Sequence, residues 1–167
     1  MKTTLEIFYL RIVGKSVRYR RKEVSLSRKG SDPDQLIWSH IRQEHRNHTQ
    51  DASHEHEFII HSTSWRYEQP GKILLTYVAY SDKLEFEKGN AKNLRLKHLQ
   101  TITRNARKPR SRAEREKKVV SHAMRHIAFL VQTDDQIDFE SAMTPETRQI
   151  FERLWITLAG RVFGKNE

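Results

Sequence analysis

Apolar and polar positions alternate along the first part of the chain in the way that is typical of β-strands. Residues 5–13 are rich in β-branched and aromatic side chains, which predicts a first strand. Residues 16–26 alternate as well, but the apolar positions shift by one residue between Tyr19 and Val24. This change of phase predicts a second strand with a bulge or break near residues 21–22.

The strongest strand candidates are residues 58–68 and 72–80, which are joined by Pro70-Gly71. Proline followed by glycine is typical of a type II turn. Simple alternation back from this turn places His61 opposite Tyr80. Apolar side chains occur on both faces of the hairpin, so we expect it to lie inside the sheet, with its first strand in a central position.

Helix signals appear at three other places. Pro33 follows the capping residue Asp32, and Pro145 follows Thr144 in the same manner. Residues 111–131 carry an apolar stripe at helical spacing. The stretch before this second helix is ambiguous between strand and helix.

Strands in the first half and helices in the second predict a single α+β domain over residues 1–167, with an antiparallel sheet and two or three helices. The apolar fraction is 36% and the charged fraction is 31%, so we expect a small core inside a charged shell. The chain has no cysteine, which excludes disulfides, thiolate catalysis and cysteine-held metal clusters. The absence of cysteine fits the cytosol, and no apolar run approaches the length of a bilayer span, so we expect a cytoplasmic protein.

The net charge of +10 is the strongest indication of function, because such an excess repels itself and attracts an anionic partner. Basic residues concentrate in an early tract, residues 11–29, and a late tract, residues 104–118. Residues 104–112 lack apolar periodicity, which predicts an exposed basic loop. The candidate nucleic-acid-binding residues are Arg18, Arg20, Arg21, Arg104, Arg107, Lys108, Arg110, Arg112, Arg115 and Lys118.

Six of the nine histidines fall within residues 40–61. Strand alternation predicts that His61 and Trp65 share one face, and helical spacing places His122 beside His126. Since imidazole titrates near neutral pH and binds metals, these three histidines are the candidates for catalysis or metal binding. The His-Glu-x-x-His series of zinc enzymes is absent, and the two helix histidines are equally well explained as surface or boundary residues.

Residues 61–64 resemble the His-x-Thr signature of two-histidine phosphoesterases, in which two histidines act as acid and base on a phosphodiester. The second copy of the motif that this family requires is missing. Residues 61–68, residues 74–77 and residues 121–126 are similar to stretches of small uncharacterised cyanobacterial proteins. That second resemblance implies no function and no functional residue.

The sequence therefore predicts a non-catalytic protein that binds an anionic partner, with RNA or DNA first among the candidates. One alternative is an adaptor or assembly factor that docks an acidic protein or an anionic membrane surface, using Trp38, Trp65 or Trp155 as an exposed anchor. A second alternative is a His-dependent phosphodiesterase-like or metal-dependent hydrolase that uses His61 with His122 or His126. The chain has no phosphate loop, nucleophile elbow or dinucleotide fingerprint, so we expect no cofactor.

Overall fold

A computed structural model describes residues 2–26, 32–46, 57–69, 71–105 and 107–158 of the chain. The strands in these ranges are β1 (Lys2–Val13), β2 (Ser16–Ser25), β3 (Ile59–Gln69), β4 (Lys72–Tyr80) and β5 (Lys92–Arg95). The helices are α1 (Pro33–Arg46), α2 (Leu96–Arg104), α3 (Arg112–Thr133), α4 (Phe139–Ala142) and α5 (Pro145–Leu158). The predicted α+β class is confirmed, with more helices than the two or three expected.

The strands form one sheet in the order β3-β4-β1-β2-β5. Every neighbouring pair is antiparallel except β1 and β4, which run parallel in the middle of the sheet. The prediction of an antiparallel sheet therefore holds for three of the four pairs. The expected central position of β3 is wrong, because β4 lies inside the sheet and β3 forms its edge.

β1 and β2 pair in an unbroken register that ends with Val13 opposite Ser16. The prediction of a bulge or break in β2 is therefore wrong. Both faces of the sheet are covered, and Tyr19 enters the core on one face while Val24 packs against the core on the other. The phase change in the sequence marks a change of buried face, which requires no extra residue.

Each face of the sheet carries its own apolar core. On one face, which we call the α1 face, Ile7 of β1 lies in the same cluster as Ile37 of α1. On the opposite face, the α3 face, Phe8 of β1 packs with Met124 of α3 and Phe151 of α5. All five side chains are at most 1% exposed. Since burial of such a side chain contributes roughly 1.5–3 kcal/mol, these two cores hold the three layers together.

Three helices begin where the sequence predicts. At the start of α1, the Asp32 carboxylate accepts the Asp34 backbone N–H at 2.9 Å. Helix α3 follows the N-cap residue Ser111, and at the start of α5 the Thr144 hydroxyl accepts the Thr147 N–H at 3.3 Å. The ambiguous stretch contains β5 and α2. Within the described ranges, no helix is both long enough and apolar enough to cross a bilayer.

Two irregularities in the β3–β4 ladder decide which side chains share a face. Gln69 pairs with Lys72 beside the turn, but the register shifts at Thr63 and again at Glu68, each of which is an extra residue on β3. His61 is consequently opposite Val78, and the prediction that it faces Tyr80 is wrong.

The bulge at Thr63 also reverses the alternation of side chains along β3. His61 pairs with Val78, which belongs to the α3-face core, whereas Trp65 pairs with Leu75, which packs against the α1-face core. The predicted shared face of His61 and Trp65 is therefore wrong. One added backbone residue separates a histidine site on one face from an aromatic site on the other.

Candidate functional site

Three histidines from two elements meet on the α3 face, beside the edge strand. His61 lies on β3, and His122 and His126 lie one turn apart on α3. The Nε2 atom of His61 is 3.1 Å from the Nδ1 atom of His126, so one ring donates a hydrogen bond to the other. The ring centroids of His122 and His126 are 4.3 Å apart. The fold thus joins the three histidines that were candidates on separate segments.

The environment keeps these rings uncharged at neutral pH. Burial lowers the pKa of His61, and repulsion from His122 adds to the effect. Burial also lowers the pKa of His122, while a ring hydrogen bond to the Thr63 backbone acts in the opposite direction. The pKa of His126 falls to about 4, through burial first and then repulsion from His122, His61 and Arg125.

Three neutral imidazoles supply bases and lone pairs but no acid. General acid–base chemistry on a phosphodiester needs a protonated partner near the working pH. Tyr80 is not placed to serve, since its hydroxyl donates to Asp82 at 2.6 Å and burial raises its pKa far above neutral pH. In the described part of the chain, no group of three or more histidines and carboxylates is arranged to hold a metal ion.

Residues 105 and 107–111 of the late basic tract lie between α2 and α3, and residues 112–118 form the first two turns of α3. The Lys118 ammonium donates to the Asn105 carbonyl at 2.9 Å and also to the Arg107 carbonyl. The Asn105 side chain accepts the Arg107 N–H at 2.9 Å, and the Glu114 carboxylate accepts the Arg110 N–H at 2.7 Å. These bonds fix the described part of the loop backbone, and Lys118 contributes to this from its position on α3.

The two acids of this tract are both engaged by the fold. Glu114 caps the start of α3, where its N–H also donates to the Ser111 hydroxyl at 3.1 Å. The Glu116 side chain is only 5% exposed and lies 2.5 Å from Lys92 of β5 and 3.3 Å from Arg112. The exposed residues of this tract are therefore mostly positive, with Glu114 the one exposed acid among those that the structure describes. We call this exposed set the basic surface: Lys92, Arg107, Lys108, Arg110, Arg112 and Arg115.

The early basic tract splits between the two faces of the sheet. Arg20 lies on the α1 face, where its guanidinium stacks on Tyr9 at 5.0 Å and pairs with Glu44 at 2.5 Å. Arg18 lies on the same face, 5.7 Å from the ring of Phe86. These two arginines are therefore separated from the basic surface by the sheet itself.

Among the basic residues of the early tract that the structure describes, only Arg21 lies beside the late tract. It shares a cleft of about 150 Å³ with Arg112, Arg115 and Glu116. Its guanidinium is 10% exposed, however, and bonds to Glu6 and Glu23. Arg21 is thus an internal ion-pair partner. Helix α2 ends at Arg104, whose side chain lies outside the described residues.

Sequence reasoning missed two features of this region. Lys92 joins the basic surface because β5 pairs with β2 and lies beside the start of α3, a contact without any local sequence signal. Trp65 and Tyr67 are 63% and 65% exposed, with ring centroids 5.6 Å apart. Their i, i+2 spacing was a usable signal. Trp38 is half-buried, and the side chain of Trp155 lies outside the described residues.

No protein-family model matches the chain, and no curated protein sequence matches it either. The similarity to small cyanobacterial proteins therefore stays a prediction. Function must be inferred from the basic surface, the histidine cluster and the exposed aromatic pair themselves.

Proposed function

We propose that the protein binds nucleic acid, without catalysing a reaction on it, through the basic surface. The observation that carries this proposal is that Glu114 and Glu116 both bind other groups of the protein, one as a helix cap and the other in ion pairs. Residues 105–118 contain seven cations and only these two acids. Because one acid caps a helix and the other is buried, a phosphate backbone meets arginine and lysine side chains with little opposing charge.

The position of the arginines at a helix start also favours a binding role. Arg112 is the first residue of α3 and Arg115 the fourth, at the positive end of the helix dipole. A cation there is unfavourable by about 0.3–1 kcal/mol. The side chains are 75% and 47% exposed, so each gains little from its ion pair. Stability alone does not account for this cluster, whereas an anionic ligand does.

The first test is the salt dependence of binding to labelled 20-nucleotide RNA, single-stranded DNA and duplex DNA, followed by fluorescence anisotropy. If the six cations of the basic surface each contact one phosphate, the affinity falls about 300-fold for a single strand and about 2,000-fold for a duplex between about 50 and 200 mM salt. Absence of binding to all three probes at the lower salt concentration overturns the proposal.

The second test reverses charge on the basic surface. The variant Arg107→Glu/Lys108→Glu is expected to bind at least about tenfold more weakly and to reduce the salt slope by about two. The matched control, Arg42→Glu/Arg153→Glu, changes the net charge equally on α1 and α5. Equal binding by the two variants contradicts a localised basic surface, because it shows that only net charge matters.

An acidic protein or an anionic membrane surface remains the alternative partner. Anisotropy with labelled polyglutamate, and sedimentation with phosphatidylserine vesicles, test these partners under the same conditions. Binding to either one in preference to the nucleic acids replaces the proposal. The proposal includes a cytoplasmic location, because a cytoplasmic protein would encounter nucleic acid.

The hydrolase alternative rests on the 3.1 Å contact between His61 and His126. Cleavage of a phosphodiester that is lost in His61→Gln and His126→Gln supports it. The neutral state of all three rings favours the non-catalytic proposal.

A further inference from the structure

An exposed aromatic pair lies at the open edge of the sheet. The Trp65 and Tyr67 rings stand nearly perpendicular, with an interplanar angle of 82°, and form a corner on the α1 face. Apolar surface of this size, left in water on a rigid strand, is typical of a binding site. We call these two rings the aromatic corner.

The backbone of β3 disfavours the binding of a further β-strand at this edge of the sheet. Another chain that extended the sheet would have to pair along β3, but the bulges at Thr63 and Glu68 break its outer row of donors and acceptors. Bulges are among the devices that protect sheet edges from such pairing. A ligand at the aromatic corner must therefore contact the rings themselves.

The aromatic corner is connected to the basic surface across the edge of the sheet. Glu68, which follows Tyr67, turns towards the α3 face and lies 3.7 Å from the Arg115 guanidinium. Lys72 also pairs with Glu68, at 2.5 Å. Glu68 thus brings the cations Arg115 and Lys72 to the edge strand whose opposite face carries Trp65 and Tyr67.

We propose that the aromatic corner stacks the bases of a single-stranded nucleic acid whose phosphates lie on the basic surface. The two sites face opposite sides of the sheet, so the ligand must bend sharply around β3. A duplex is too stiff to make this turn, and its bases are already stacked on one another. A single strand bends freely, and its bases stack on aromatic rings without requiring a particular sequence.

This inference rests on the proposed function, and the experiment separates the two. Three 12-nucleotide probes are compared by anisotropy: an oligouridine, a duplex, and an abasic strand with the same number of phosphates. The expected order places oligouridine tightest. Trp65→Ala weakens oligouridine binding on the order of tenfold and leaves abasic binding unchanged, while Trp65→Phe retains most of the affinity. Tyr67→Ala has an effect in the same direction.

Each result has a distinct meaning. If Trp65→Ala binds oligouridine as the wild type does while Arg107→Glu/Lys108→Glu loses binding, the stacking inference fails and the proposed function stands. If the wild type binds none of the probes, both fail. Binding of polyglutamate that depends on Trp65 overturns the inference in favour of a protein partner. Because both rings are exposed, unchanged melting temperatures are expected and confirm that the variants are folded.

Discussion

Acidification should weaken the fold through the histidine cluster. In the unfolded chain His126 titrates at its ordinary pKa of 6.5, whereas in the fold its pKa is about 4. Between these values the unfolded state binds more protons than the folded state. The stabilisation that depends on neutral His126 is therefore fully present above about pH 6.5. It is lost as the pH falls towards 4.

The size of the effect follows from these two pKa values. At pH 5, protonation of His126 alone favours the unfolded state by about 2 kcal/mol. The ring is partly exposed, so solvent screening reduces this value to about 1 kcal/mol. The lowered pKa values of His61 and His122 act in the same direction. Glu44 and Glu68, whose pKa values are also lowered, lose their contribution only below about pH 4.5.

The assay is urea unfolding, followed by circular dichroism, at pH 7.5 and pH 5.0. Between pH 7.5 and pH 5.0 the free energy of unfolding of the wild-type protein is expected to fall by about 1 kcal/mol more than that of the variant His126→Gln. The matched control is His98→Gln, which removes an exposed histidine of α2 outside the cluster. If His126→Gln shows the same loss as wild type, repulsion and burial at the cluster do not govern the pH dependence.

Three further substitutions test other parts of the structure by the same unfolding measurement. Glu6→Gln removes the charge that pairs with Arg21 in a nearly buried site, and should destabilise the fold by about 3 kcal/mol; a loss below about 1 kcal/mol contradicts a buried ion pair of structural importance. Ser111→Ala removes the α3 cap, with an expected loss of about 1 kcal/mol, whereas Ser111→Asp should be nearly neutral. Gly71→Ala should destabilise the fold by about 1 kcal/mol because the glycine has φ +80°. Nothing lies within 4 Å of an added Cβ, so a much larger loss points to a cause other than backbone strain.

Local signals were sufficient for most of the elements. Asp32 and Thr144 are helix caps whose chemistry is contained within a few residues, and both act as predicted. The strand Lys72–Tyr80 was predicted to the residue, because β-branched and aromatic side chains follow a Pro-Gly turn. Strand order was not predictable in the same way, because the parallel pairing of β1 with β4 depends on contacts distant in the sequence.

The site was harder to predict because it depends on a backbone irregularity and on tertiary packing. The bulge at Thr63 moves Trp65 to the face opposite His61, and no residue type in that segment predicts a bulge. The approach of His61 to His126 depends on how α3 packs over the sheet. The charge clusters were visible in the sequence, but which cations face solvent depended on the tertiary positions of Glu6, Glu44 and Glu116.

The parallel pairing of β1 with β4 has a consequence for the order of folding. β2 follows β1 after a short turn, whereas Lys72 is 70 residues from its partner Lys2. Closing the longer loop is less favourable by about 3 kcal/mol of chain entropy. At about 5–20 residues per second, the ribosome needs several seconds to reach β4 after the β1–β2 hairpin is complete. During that interval one edge of β1 has no neighbour, so the strand at the centre of the finished sheet is exposed to aggregation while the chain is being made.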